Sequence, residues 1–315
     1  MEMNGNLNND DTCVFTLGHS PDPDDAFMFY AMAENKIDLR GYRFEHRLED
    51  IQTLNERALR GELHISAISI HAYAYVADKY ALLPCGASMG DGYGPIVVRK
   101  KKETGTRQGE ASSASGRALL DDSAFYEAIR QSLRDCKVAV PGRMTSAFLA
   151  LQLFLGEFEC VVAPFDQIFQ ALNEGSANAG LIIHEGQLTY SQSGFEKVID
   201  LGQWWKWRTG LPLPLGGNVV RKDIPPPARR DLVEIIRQSI DYGLTHREEA
   251  VRHSLPFARD MDAGLTGKFV GMYVNEFTRD YGERGRAAVR HFLKLATESG
   301  YIEKPIEVEF VEPSW

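Results

Sequence analysis

Apolar residues cluster at Val14 to Gly18, break off at His19-Ser20-Pro21-Asp22-Pro23, and return at helical spacing from Asp24 to Glu34. The chain therefore opens as strand, turn and helix. Tyr42 to Leu48 reads as a second strand and Glu49 to Arg60 as a helix stopped by Gly61. The stretch His64 to Ile70 alternates poorly, as a strand buried on both faces does. Alternating β and α elements predict a mostly parallel sheet with helices on both faces. Pro95 to Arg99 follows the glycine-rich Gly86 to Gly94 as a further strand. Composition then shifts: Lys100 to Gly116 is charged, small and poor in apolar residues, which predicts a flexible surface insertion.

A second α/β series follows. Lys137 to Val140 is a short strand running through a Pro141-Gly142 turn into an apolar helix, Ser146 to Leu155. Phe158 to Ala163, a helix near Gln167 to Asn173, and the strands Ala179 to Ile183 and Lys197 to Leu201 continue it. Leu211 to Gly216, with prolines at alternate positions, predicts an extended connector that crosses back. The remainder reads as helical: Ala228 to His246, Thr266 to Arg279, and Glu283 to Ser299. The predicted organisation is an α/β protein of two lobes with a ligand cleft between them. Residues 1–13 form a disordered N-terminal extension. Residues 14–99 and 212–315 form the larger lobe, and residues 100–211 the smaller one, including the insertion at about 100–116.

Composition narrows the function classes. A chain of 315 residues with 43% hydrophobic and 25% charged positions has the makings of two packed cores. The net charge of −9 opposes phosphate backbones and anionic lipid, so neither nucleic acid nor a membrane is an expected partner. Met1 to Thr12 carries no secretion signal, and no apolar run is long enough to span a bilayer. Cys13, Cys85, Cys136 and Cys160 are scattered, consistent with reduced thiols and a cytoplasmic address. The sequence leaves oligomeric state open.

Two positions carry candidate chemistry. In Val140 to Ala147 a strand enters a Pro-Gly turn, and a helix opens with Thr145 and Ser146. The free N–H groups and hydroxyls there suit a carboxylate, although the same residues also serve as ordinary caps. His184 ends the strand Ala179 to Ile183, where a parallel strand opens onto the cleft. It can act as a base near neutral pH or simply bond to loop backbone. Leu188 stands where a zinc-protease motif needs a second histidine. Phe27 and Ala33 stand where a calcium loop begun at Asp22 needs glycine and glutamate, so Asp24 and Asp25 read as a helix cap and a first-turn carboxylate. The cluster Trp204, Trp205 and Trp207 reads as domain-edge packing.

Five ordered segments, Ser20-Pro21-x-Pro23-x-Asp25-x-Phe27, Glu49-Asp50-Ile51-x-Thr53-Leu54-Asn55, Val140-Pro141-Gly142-Arg143-x-Thr145, Ile182-Ile183-His184-Glu185-Gly186 and Thr209 to Gly216, resemble the 1,4-dihydroxy-6-naphthoate synthases of the futalosine route to menaquinone. The resemblance implies a two-lobed, periplasmic-binding-protein-like type II fold with an interdomain cleft. It also implies a lyase acting on a small anionic substrate, cyclic dehypoxanthinyl futalosine, without metal or redox cofactor. It makes His184 the proton acceptor and places Asn55, Ala67, Ile68, Ser69, Thr145, Ser146, Ala147 and Ile183 at the substrate. The family's Ser-Pro-Cys-Pro-Asn-Asp opening is Ser20-Pro21-Asp22-Pro23-Asp24-Asp25 here, which adds two carboxyl groups near the cleft. Chorismate dehydratase, a related scaffold of the same pathway, is a second enzymatic reading. A non-catalytic solute-binding protein for a small carboxylate is a third.

Overall fold

A computed structural model describes residues 13–101, 122–259 and 261–312. The predicted disordered extension lies outside the described residues but for Cys13, and the predicted flexible insertion lies outside them but for Lys100 and Lys101. The first strands are β1 (Val14–His19), β2 (Arg43–Leu48), β3 (Ile65–Ser69), β4 (Tyr80–Leu82) and β5 (Ser88–Gly90). They are followed by β6 (Ile96–Lys100), β7 (Val138–Val140), β8 (Cys160–Val162), β9 (Ala179–Ile182) and β10 (Phe195–Asp200), and finally β11 (Leu213–Arg221). One sheet has the order β2-β1-β3-β11-β4, with β5 also on β11, and the other has the order β10-β6-β9-β7-β8. Each sheet with its helices makes one lobe.

Local chemistry accounts for the elements. All of β3 is buried, because it lies between β1 and β11, which explains its weak alternation. The Asp50 carboxylate accepts from the N–H groups of Gln52 and Thr53 at 3.0 and 3.2 Å and starts the helix Ile51–Arg60. Gly61, at φ +69°, ends that helix in the left-handed region. Among the described residues no helix is long and apolar enough to cross a membrane.

Three expectations need correction. The sheets are mixed rather than mostly parallel: β11 runs antiparallel to β3, β4 and β5, and β6 antiparallel to β9 and β10. Residues 96–99, assigned to the larger lobe, are hydrogen bonded into the second sheet as part of β6. The composition shift at Lys100 marks a loop inside that lobe, and the crossing comes earlier. Leu211 to Gly216 is not only a connector, since from Leu213 it is the start of β11. Its prolines are tolerated where the pairing with β5 is irregular.

The tryptophan cluster lies on the helix Leu201–Thr209, beside the return crossing. Trp204 and Trp205 are fully buried, whereas Trp207 is exposed. Trp205 donates from Nε1 to the Pro212 carbonyl at 3.0 Å and meets Phe292 edge to face at 5.3 Å. It thus ties the crossing to the C-terminal helix Gly282–Glu298. Truncation by Trp205→Ala is expected to cost about 3–5 kcal/mol, read as a lowered urea midpoint. An unchanged midpoint would show that the crossing does not depend on this ring.

Candidate active site

The two lobes face one another across a cleft that encloses about 800 Å³ of non-protein space, its open mouth included. On the first lobe the wall is the end of β3 and the adjoining part of β11, where Ala67, Ile68 and Ser69 stand opposite Asn218, Gly217 and Gly216. On the second lobe it is the start of the helix Ser146–Leu155, with Thr145, Ser146 and Ala147, together with Ile183 at the end of β9. Seven of the nine predicted site residues therefore share one cavity.

Their hydroxyls are not equally free. Thr145 accepts from the Phe148 N–H at 3.1 Å and donates to the Gly142 carbonyl at 2.9 Å, so its cap role consumes its side chain. Ser146 accepts from the His71 N–H at 3.1 Å and donates to the Leu215 carbonyl, which binds the helix start to the opposite lobe. What remains for a ligand is backbone: the first N–H groups of a helix have no intrahelical acceptor and favour an anion. The expectation that Asn55 faces the ligand is corrected. It is fully buried behind Ser69, donating from Nδ2 to Ser69 Oγ at 3.0 Å and accepting from the Ser69 N–H at 2.9 Å. This pair of hydrogen bonds to one residue orients Ser69, whose hydroxyl proton stays available.

His184 departs from expectation in orientation. It follows β9 as predicted, but its ring is seated edge-on against Phe165 and Phe169 of its own lobe, at 5.8 and 6.1 Å, one residue away from the cleft wall at Ile183. Nδ1 accepts from the Gly186 N–H at 3.0 Å, which leaves the ring proton on the buried Nε2. Burial, reinforced by the nearby Arg259, lowers the imidazole pKa against the opposing pull of Glu185, so the ring is neutral at physiological pH.

The acidic opening is a feature that sequence reasoning undervalued. Asp22, not Asp24, is the N-cap residue of the helix Pro23–Met28, while Asp24 and Asp25 occupy its first turn. All three line the cleft. Burial raises Asp22 and Asp25 to about 6 and pushes Asp24 well above its ordinary value, with neighbouring carboxyls adding to the shifts of Asp22 and Asp24. Asp25 accepts the Ser20 N–H at 2.7 Å. Asp22 meets Arg259, whose guanidinium reaches Asp22 at 3.2 Å and both Glu185 oxygens at 2.6 and 2.8 Å. The same guanidinium lies 4.7 Å over the Phe165 ring that packs on His184. Arg259 thus clasps the lobes together beside the histidine. No local motif marks it, because its partners are 74 and 237 residues away. Among the described residues, no group of three or more His, Cys, Asp or Glu side chains could hold a metal ion.

The sequence profile of a family described as menaquinone biosynthesis matches residues 15–298. A Thermus thermophilus protein named 1,4-dihydroxy-6-naphthoate synthase is 38% identical over 90% of this chain and 94% of its own length. A solved structure from Archaeoglobus fulgidus shares 39% identity at a TM-score of 0.80, covering 92% of this chain and 98% of that one. The alkanesulfonate-binding protein of Xanthomonas axonopodis pv. citri is 9% identical with a TM-score of 0.67, over 94% of this chain and 96% of that one. That likeness is one of fold, the two-lobed periplasmic-binding-protein arrangement expected from the sequence.

Two outcomes follow from this geometry. Arg259→Met leaves Glu185 buried without its partner and should cost about 1–3 kcal/mol, the half-exposed guanidinium reducing the figure for a fully buried pair. It should also enlarge the radius of gyration in solution scattering, whereas wild-type values for both quantities would contradict the clasp. Asp25 is harder to ionise in the folded chain, so it favours the fold below pH 3.8 and progressively disfavours it as pH rises through about 6. The stability of Asp25→Asn relative to wild type should therefore rise between pH 4 and 6, by about 1–3 kcal/mol, in paired urea titrations. A pH-independent difference would contradict the burial assigned to Asp25.

Proposed function

This chain belongs to the menaquinone-biosynthesis family, with the 1,4-dihydroxy-6-naphthoate synthases, and on that premise we propose that it cleaves cyclic dehypoxanthinyl futalosine to 1,4-dihydroxy-6-naphthoate in the interlobe cleft. The observation that carries this reading is the meeting of the start of the helix Ser146–Leu155, the Ser69 hydroxyl and the strand end at Ile183 around one cavity, with the neutral His184 the next residue beyond that wall. The substrate carboxylate is held by N–H groups at the start of the helix Ser146–Leu155 and by Ser69, with Asn55 fixing the Ser69 rotamer. Asp24, pushed well above its ordinary value by burial and by the neighbouring Asp25 and Asp22, presents an anionic ligand with less negative charge than a free carboxylate would.

His184 is the proton acceptor in this proposal. Its neutral state is the one a base requires, and its position beside Ile183 brings it next to the wall that the substrate touches. Since Nδ1 is engaged by Gly186 and Nε2 carries the proton, accepting a proton requires the ring to leave its seat between Phe165 and Phe169 and release Nδ1. Closure of the lobes around the substrate excludes water and fixes the reacting groups.

The test is incubation with cyclic dehypoxanthinyl futalosine followed by mass detection of the naphthoate. Wild-type protein should form it, and His184→Ala should fold normally while losing about 10²–10⁴-fold in turnover, the range for a positioned general base. Turnover near wild type in that variant would refute the assignment of His184.

A further inference from the structure

Two buried amide side chains in the cleft wall have unused hydrogen-bonding capacity of opposite sign. Gln187, on the short helix Gly186–Thr189 of the second lobe, is 7% exposed and lines the cleft. Its Oε1 accepts from the Tyr273 hydroxyl at 2.7 Å, a bond that crosses between the lobes. Burial pushes the Tyr273 pKa far upward, so that hydroxyl remains a donor and fixes which end of the Gln187 amide it holds. The other end, Nε2, is buried and has no partner. Asn218, on β11 of the first lobe, is 1% exposed and also lines the cleft. Its Nδ2 donates to the Gly86 carbonyl at 3.2 Å, leaving Oδ1 buried and unpartnered. Gly86 makes this possible, because a Cβ there would approach Asn218 Nδ2 to 2.2 Å.

A buried donor and a buried acceptor left unmade are each costly, and folded proteins retain few of them without a use. Here both are pinned at one end by a protein partner and belong to the wall of the same cavity. We infer that Gln187 and Asn218 are ligand-recognition residues, Gln187 Nε2 donating to a carbonyl, carboxylate or ether oxygen of the substrate and Asn218 Oδ1 accepting from one of its hydroxyls. Tyr273 is the positioning residue that turns the Gln187 amide toward the ligand. The bound molecule must therefore offer an acceptor toward the second lobe and a hydroxyl toward the first. This inference rests on the cleft being the site of the proposed reaction, and it adds the polarity by which that site selects its substrate.

Gln187→Glu keeps the shape and an oxygen for Tyr273 but replaces the donor with an acidic group, so Gln187→Met, which removes the donor without adding charge, is measured beside it and must change KM in the same direction. KM and kcat are measured on whichever of cyclic dehypoxanthinyl futalosine or chorismate the wild-type protein turns over. Gln187→Glu and Gln187→Met are both expected to raise KM about tenfold to a hundredfold. Asn218→Leu should also raise KM, and Tyr273→Phe should do so more weakly. A KM for Gln187→Glu within about twofold of wild type would overturn the inference while leaving the proposed function standing. Should wild-type protein turn over neither compound, the proposed function falls. The inference is then decided by calorimetric binding of 1,4-dihydroxy-6-naphthoate, where Gln187→Glu must weaken Kd by the same factor and an unchanged Kd overturns it.

Discussion

The Ser146 hydroxyl is the constraint on which the site depends. It accepts from the His71 N–H and donates to the Leu215 carbonyl, so the helix start of one lobe is locked to the wall of the other by a single side chain. Because that side chain is spent on the contact, the free N–H groups of the helix start face the cavity in a fixed position. Two further bonds close the cleft around the same cavity. Tyr273 holds Gln187, and Arg259 joins Asp22 to Glu185. Each crosses between segments remote in sequence, and each touches a residue that lines the cleft or adjoins His184.

The fold and the activity are connected through this closure. A two-lobed binding scaffold needs a cavity that seizes a small anion, and a helix start supplies the attraction at low cost because its N–H groups would otherwise lack acceptors. A lyase needs more: a neutral base near the anion and exclusion of water. In the proposed reaction that base is His184, which burial among Phe165, Phe169 and the Arg259 clasp keeps neutral while its acceptor nitrogen is occupied by Gly186. Arg259 lies over the Phe165 ring that packs on the histidine, so the clasp and the seat of His184 share one aromatic side chain.

Much of this was legible in the sequence where the signal is local. The strand before Thr145, the helix after it and the Gly61 stop all follow from residues within a few positions of one another. The family segments brought Ala67 to Ser69, Thr145 to Ala147 and Ile183 together, and they do share one cavity. What was not legible depends on long-range partners. Asn55 points to Ser69 rather than the ligand because β3 passes beside its helix. The antiparallel β11 could not be foreseen from a proline-rich stretch, and the lobe boundary was misplaced because composition reports a surface loop more loudly than a buried crossing. Arg259, Gln187 and Asn218 carry no motif at all; their significance lies in what they reach or fail to reach in three dimensions.

The most direct test of the central claim is a crystal structure of the protein with 1,4-dihydroxy-6-naphthoate. The product's carboxylate should lie between the lobes, within hydrogen-bond distance of the first N–H groups of the helix Ser146–Leu155 and of Ser69 Oγ. A naphthoate bound outside the interlobe cavity, or seated in it with its carboxylate turned away from that helix start, would contradict the account.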